Sequence, residues 1–273
     1  MEMINIFHPW EGYVKPFQIF GNLYFAGTIP ASTHLIDTGE GLIVIDPGLP
    51  QSLYLVIDNI YRLGFAVKDI RYIVCTHGHY DHLGAAKALA ALTGAKTFLG
   101  KEDASYANGS ADLTWAKELG AEYHEAFEPD VLLSDGDVIR LGNTRILCKA
   151  APGHTPGTMA FFFDVTDGTQ VLRVAMHGGV GRNSMRKEFL NKYGLSDETR
   201  KRFIPAIDAL MEERVDIVLG NHVGNNDTVE KSRRMTGENN PFIDAGEWKR
   251  FLETVKRKYY QMAEEENGKA ESD

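Results

Sequence analysis

Seven residues, Thr76-His77-Gly78-His79-Tyr80-Asp81-His82, hold the densest set of metal-binding side chains in the chain. Neutral imidazole and carboxylate are good donors for zinc and neighbouring first-row metals. Four such groups on one turn cannot all reach one ion. His77 and His79, two apart, are read as converging on one metal. Asp81 and His82 are then turned toward a second. The competing reading is a polar turn that is rich in histidine by accident. The density of the motif weighs against it.

Ligands of this kind need stiff elements around them. The apolar run at 70–75 reads as a strand entering the cluster, and 84–92 reads as a helix leaving it. Upstream, 17–26 reads as two strands joined at Gly21-Asn22, and 34–37 and 41–46 continue a meander. Residues 51–63 have helical spacing, with Leu53, Val56, Ile57 and Ile60 on one face. Downstream, strands are expected at 96–99, 131–133, 137–141, 144–150, 159–165, 170–176 and 215–219. A helix is expected over 101–119, broken at Asn108-Gly109. An insertion at about 180–214 has a helical second half. Ser196 or Asp197 caps it, and Phe203, Ile207, Leu210 and Met211 form its apolar stripe. A C-terminal helix is expected at about 246–262, with 263–273 as a frayed acidic tail.

His77-x-His79-x-Asp81-His82 after a hydrophobic strand resembles the signature of the metallo-β-lactamase superfamily. The resemblance covers roughly residues 17–225. It implies an α+β fold, a four-layer αββα sandwich of two mixed β-sheets flanked by helices, here one metallo-hydrolase domain over 1–273. It also implies a dinuclear site at one edge of the sandwich. His154, in Pro152-Gly153-His154-Thr155-Pro156-Gly157, matches the turn whose histidine joins His77 and His79. His222, after the strand at 215–219, matches the final histidine, beside Asp81 and His82. Asp46 matches an acidic residue that supports the metal-binding turn. The plainer reading of Asp46 is a turn-former with Pro47-Gly48. The ligand pattern is closest to the subclass with an Asp-His-His second site.

The chain departs from the commonest family pattern at His177, where many members carry an aspartate that bridges the metals. A neutral imidazole has one lone pair and cannot bridge. Three readings stay open: a ligand to one metal, a supporting or substrate-facing group, or a site with no bridging protein ligand. The supporting or substrate-facing reading is preferred, and His177 joins Asp81 as a catalytic candidate. Asn183, Arg186 and Lys187 are candidate substrate contacts, against a solvated charged face. His34 is read as structural and His124 as surface.

The cofactors implied are two divalent ions, zinc first, with iron or manganese able to use the same donors. Between them, water would become hydroxide near neutral pH and attack a carbonyl. The expected activity is hydrolysis of a small β-lactam, lactone or thioester. The alternatives are a non-enzymatic metal-binding protein and a redox member of the superfamily. The chain has 273 residues and a net charge of −9, and no basic patch suggests nucleic acid. No apolar run reaches membrane-spanning length. The N-terminus lacks a signal-like pattern, and the only cysteines, Cys75 and Cys148, read as buried thiols. These features point to a cytoplasmic protein with a small-molecule substrate and no membrane partner. They leave the oligomeric state open.

Overall fold

A computed structural model describes residues 5–270. Residues 1–4 and the last three of the acidic tail lie outside it. Seven strands make the first sheet: β1 (Phe17–Phe20), β2 (Leu23–Phe25), β3 (His34–Asp37), β4 (Leu42–Ile45), β5 (Ile70–Val74), β6 (Lys96–Gly100) and β7 (Val131–Leu133). They lie in chain order, antiparallel from β1 to β4 and parallel from β4 to β7. The second sheet holds β8 (Val138–Leu141), β9 (Thr144–Ala150), β10 (Met159–Thr166), β11 (Val171–His177) and β12 (Ile217–Leu219). Its order is β12-β11-β10-β9-β8, with only β11 and β12 parallel. Both sheets are therefore mixed, as expected.

β4, β12 and the first five residues of β10 read as unbroken apolar runs because both of their faces are covered. Ile36, Ile43, Ile45, Val74 and Phe98 face inward and meet Ile146, Phe161, Phe163, Val174 and Leu219 of the other sheet. The alternate residues, Leu35, Val44, Ile73 and Leu99, point outward under α1 (Leu53–Arg62), α2 (Tyr80–Leu83) and α3 (Ala86–Thr93). On the far side, Phe162, Ala175 and Val218 face α7 (Phe203–Leu210) and α9 (Glu247–Ala270). Burying each Phe of the 161–163 run contributes roughly 1.5–3 kcal/mol, and the three are divided between two layers. Four layers result: helix, sheet, sheet, helix. Cys75 and Cys148 are buried free thiols in different layers.

Three expectations are corrected. The helix at 101–119 is reduced to a 3-10 turn at Lys101–Asp103, the short α4 (Ala104–Ala107) and a 3-10 turn at Lys117–Leu119. The loop between them carries Trp115 at φ +68, which a helix cannot contain. The insertion forms α5 (Lys187–Lys192), α6 (Glu198–Lys201) and α7, but Asp197 makes no side-chain cap. Its carboxylate pairs with Lys201 at 2.9 Å instead. Helix α9 continues to Ala270, through the stretch expected to fray. Glu266 holds it there, accepting the Lys187 N–H at 2.8 Å and pairing with Arg200 at 2.7 Å. The remaining helix is α8 (Thr228–Arg234).

Candidate metal centre

Strands β4, β5, β9, β11 and β12 all end at one edge of the sandwich. Asp46 follows β4, the His77–His82 turn follows β5, and the His154 turn follows β9. His177 closes β11, and His222 follows β12. Backbone bonds stitch the two sheets here: Met159 N–H donates to Thr76 O at 2.9 Å, and Ser32 N–H to Asn221 O at 2.9 Å.

Two groups of side chains form at this edge. His77, His79 and His154 make the first, their rings at mutual centroid distances of 4.8, 4.7 and 4.5 Å. Asp81, His82 and His222 make the second. In it, His82 Nε2 lies 3.3 Å from His222 Nε2 and 3.4 Å from an Asp81 oxygen, which is 3.5 Å from His222 Nε2. Ligands about 2.0–2.1 Å from one tetrahedral ion stand about 3.3–3.4 Å apart. The triangle has the size of one face of such a tetrahedron, so the residues fit a cation. In the first group His77 Nε2 is buried without a hydrogen-bond partner, which also fits one.

The outer nitrogens are pinned so that the inner ones face the centre. Asp46 is fully buried and serves both groups. Its carboxylate accepts the Thr76 N–H at 2.7 Å, the Thr76 hydroxyl at 2.8 Å and His82 Nδ1–H at 2.9 Å. Having given its proton to Asp46, the Thr76 hydroxyl accepts from His77 Nδ1–H at 3.0 Å. One carboxylate thus orients a histidine in each group. His154 Nδ1–H donates to Gly181 O at 2.8 Å, and His222 Nδ1–H to Pro30 O at 2.6 Å. Gly153, at φ +142, lets Phe203 press against the His154 turn. A Cβ there would sit 2.3 Å from the ring.

Charge separates the groups. Burial, then the surrounding imidazoles, holds His77 well below the usual histidine range. Burial likewise depresses His79, and takes His154 down to about 4. These three offer lone pairs rather than charge. At His82 burial opposes protonation, but Asp81 and Asp46 outweigh it and push the ring up to about 10. Burial acts to raise Asp81, yet His82 and His222 hold it below the usual carboxylate range. The second group asks for a positive charge at its centre, supplied by a proton or by a metal ion.

Other predicted residues fall elsewhere. His177 enters neither group. Its ring is buried 6.4 Å from that of Phe203, and its Nδ1 accepts the Gly179 N–H at 3.2 Å. Asn183 lines a cavity of about 390 Å³ over the two groups, with Ile6, Ile29, Leu49, Trp115 and Val223 as apolar walls. Arg186 does not line it. Its guanidinium stands 3.6 Å from Glu265 of α9, and Lys187 reaches Asn267 at 3.2 Å. Contacts with α9 hold both cations away from the cavity. His34 is buried beside Phe25, and His124 is exposed.

Asp103 was not anticipated. Fully buried, it accepts the Gly78 N–H at 2.7 Å, the Thr155 hydroxyl at 2.6 Å and the Gly157 N–H at 2.6 Å. It ties the His77–His79 turn to the His154 turn. Its one sequence signal is its place, an acid just past a buried parallel strand, as Asp46 is after β4.

Comparison with known proteins agrees with this geometry. A sequence profile of the metallo-beta-lactamase superfamily matches residues 26–167. The chain is 25% identical to hydroxyacylglutathione hydrolase GloC of Haemophilus influenzae over 77% of its own length and 90% of that protein's. The crystal structure of BJP-1, a subclass B3 metallo-beta-lactamase of Bradyrhizobium japonicum, superposes with a TM-score of 0.84 at 26% identity. That alignment covers 96% of this chain and 98% of the other. The class B3 di-zinc metallo-beta-lactamase LRA-12, from an Alaskan soil metagenome, gives 0.81 at 28% identity over 93% and 96%.

Proposed function

The chain belongs to the metallo-beta-lactamase superfamily, and from that premise we propose that it is a metal-dependent hydrolase of small carbonyl substrates: β-lactams, lactones or thioesters. The observation that carries this is the Asp81–His82–His222 triangle, with edges of 3.3 to 3.5 Å beside a separate three-histidine group. In this reading His77, His79 and His154 hold one ion and Asp81, His82 and His222 the other. Zinc is the first choice, because nitrogen-rich tetrahedral sets suit it and one structural neighbour is a di-zinc enzyme. When bound, two cations would lower the pKa of water and polarise a carbonyl. The protein's own part is orientation. Asp46 and Thr76 fix the tautomers of His82 and His77, and Asp81 can hold the attacking water's proton. The apolar wall around Trp115 keeps competing water from the reacting carbonyl.

The chain acts as one domain in this proposal, and Asn183 contacts substrate at the rim. His177, outside both groups, supports the Gly178-Gly179 turn against His154 instead of touching substrate. The β-lactamase neighbours support amide chemistry, and GloC supports thioesters.

The test is metal content per chain together with turnover of a chromogenic cephalosporin, an aliphatic lactone and a glutathione thioester. Two ions and hydrolysis of at least one substrate are expected. A folded protein that binds two ions yet turns over none of the three would sink the hydrolase reading in favour of a binding role.

A further inference from the structure

A second cavity of about 270 Å³ adjoins His79 and His154. It shares those two histidines with the larger cavity, and a pair of rings stands between the two spaces. Trp115 faces the larger cavity and Phe189 the smaller, with centroids 4.7 Å apart. The Trp115 ring is also 5.8 Å from His79. Its backbone is held in the left-handed region at φ +68. Strain of that kind persists only where the surroundings over-determine the conformation. Here the Phe189 ring and the Glu118 contact with Tyr193 grip the loop.

The chemistry of the smaller cavity is distinct. Leu113, Phe189 and Leu195 make one side apolar. Ser105, Ser196 and Thr199 line it too, and their hydroxyls meet no hydrogen-bonding partner among the described residues. Tyr106 carries the argument furthest. It is 7% exposed and fixed against Gly78, where a Cβ would approach its ring to 2.8 Å. Its hydroxyl also bonds to no described residue. The residue lines the cavity, so a guest there can bond this hydroxyl. Both charged residues in the wall are already neutralised: Glu102 takes two bonds from Arg202, at 2.7 and 2.9 Å, and Arg200 pairs with Glu266 at 2.7 Å. The cavity has spare hydrogen-bonding capacity and no spare charge. It would strip water from an ionised guest without compensation, and would accept a neutral one.

We propose that this cavity is a second binding site, for an uncharged amphiphilic group: a short alkyl chain carrying an amide or ester carbonyl, hydrogen-bonded by the Tyr106 hydroxyl. Resting on the hydrolase reading, that group is an arm of the substrate that extends past His79 and His154 while the reacting carbonyl stays in the larger cavity.

The experiment is titration of hexanamide into the full-length zinc-loaded protein, followed by amide shifts in a ¹H–¹⁵N spectrum. Hexylammonium is the charged control. Shifts should gather at Tyr106, Leu195 and Thr199 and be absent at Val223 and Gly224 of the larger cavity. Thr199→Trp, which fills the space, should weaken hexanamide at least tenfold. Tyr106→Phe should weaken it about fivefold, and hexylammonium should bind at least tenfold more weakly than hexanamide. If Thr199→Trp misfolds, Ser196→Trp at the exposed rim serves instead. Shifts confined to the larger cavity, or affinity untouched by the filling variant, would overturn the proposal. Because binding is read without turnover, hexanamide shifts in an inactive protein would fault only the hydrolase reading. Turnover without such shifts would fault only this one.

Discussion

The two candidate groups are near neighbours built on opposite principles. His77, His79 and His154 are three neutral rings whose outer nitrogens meet only neutral groups where a bond is seen, the Thr76 hydroxyl and Gly181 O. The Asp81 group has a carboxylate inside it and another, Asp46, directly behind His82. The first group selects by the direction of lone pairs, and the second also by charge. Proteins hold cations by either device. Using both side by side gives two positions that differ in how strongly they need an ion.

Several variants would break or sharpen that contrast. The largest effect is expected from His222→Ala, which removes one corner of the charged triangle. Activity should fall at least roughly a thousandfold and metal content should drop from two ions to one. Retention of both ions would mean that the triangle is not a site. Asp46→Asn comes next, because Asp46 orients one histidine in each group. Chelator competition should show about 10–100-fold weaker binding in both groups. Loss at only one would contradict the relay through Thr76.

His34 supplies the reference histidine, buried and outside both groups. Burial pushes it down to about 3. Above pH 6.5 it is neutral whether the chain is folded or not, so it adds no pH dependence. Between pH 6.5 and about 3 the unfolded chain takes up a proton that the folded one refuses. Stability should therefore fall by up to about 1.4 kcal/mol per pH unit from this residue. Denaturant titrations of His34→Phe against the parent should show a shallower acid slope. Equal slopes would mean that His34 is protonated in the folded protein. The smallest effect belongs to Arg186→Ala. Its partner is Glu265 and both are partly exposed, so stability should change by less than about 1 kcal/mol and KM by less than about twofold. A large rise in KM would return Arg186 to the substrate.

What the sequence discloses and what it hides divide along contact range. The two candidate groups were legible because their residues lie in short polar turns that follow apolar strands. Asp103 was hidden because its meaning lies in Thr155 and Gly157, more than fifty positions away. Residues 104–119 are rich in helix-formers, yet Trp115 is drawn out of the helical region by a ring on α5. The tail after Met262 is charged enough to look frayed. Its contacts with Arg186, Lys187 and Arg200 of the insertion anchor it as helix. Local pattern set the scaffold in each case, and distant partners decided the exceptions.

The bond from His222 to Pro30 spans 192 positions of the chain. Neither group of side chains is complete until strands from both halves have docked, and contacts of such separation form slowly. During synthesis the early histidines at 77–82 would be made long before their partners, able to hold a metal only loosely. In the proposed reading, tight metal capture would be a late event and a readout of finished folding. A refolding chain followed by a metal-sensitive dye should bind its ions in the last kinetic phase, after most helical signal has returned.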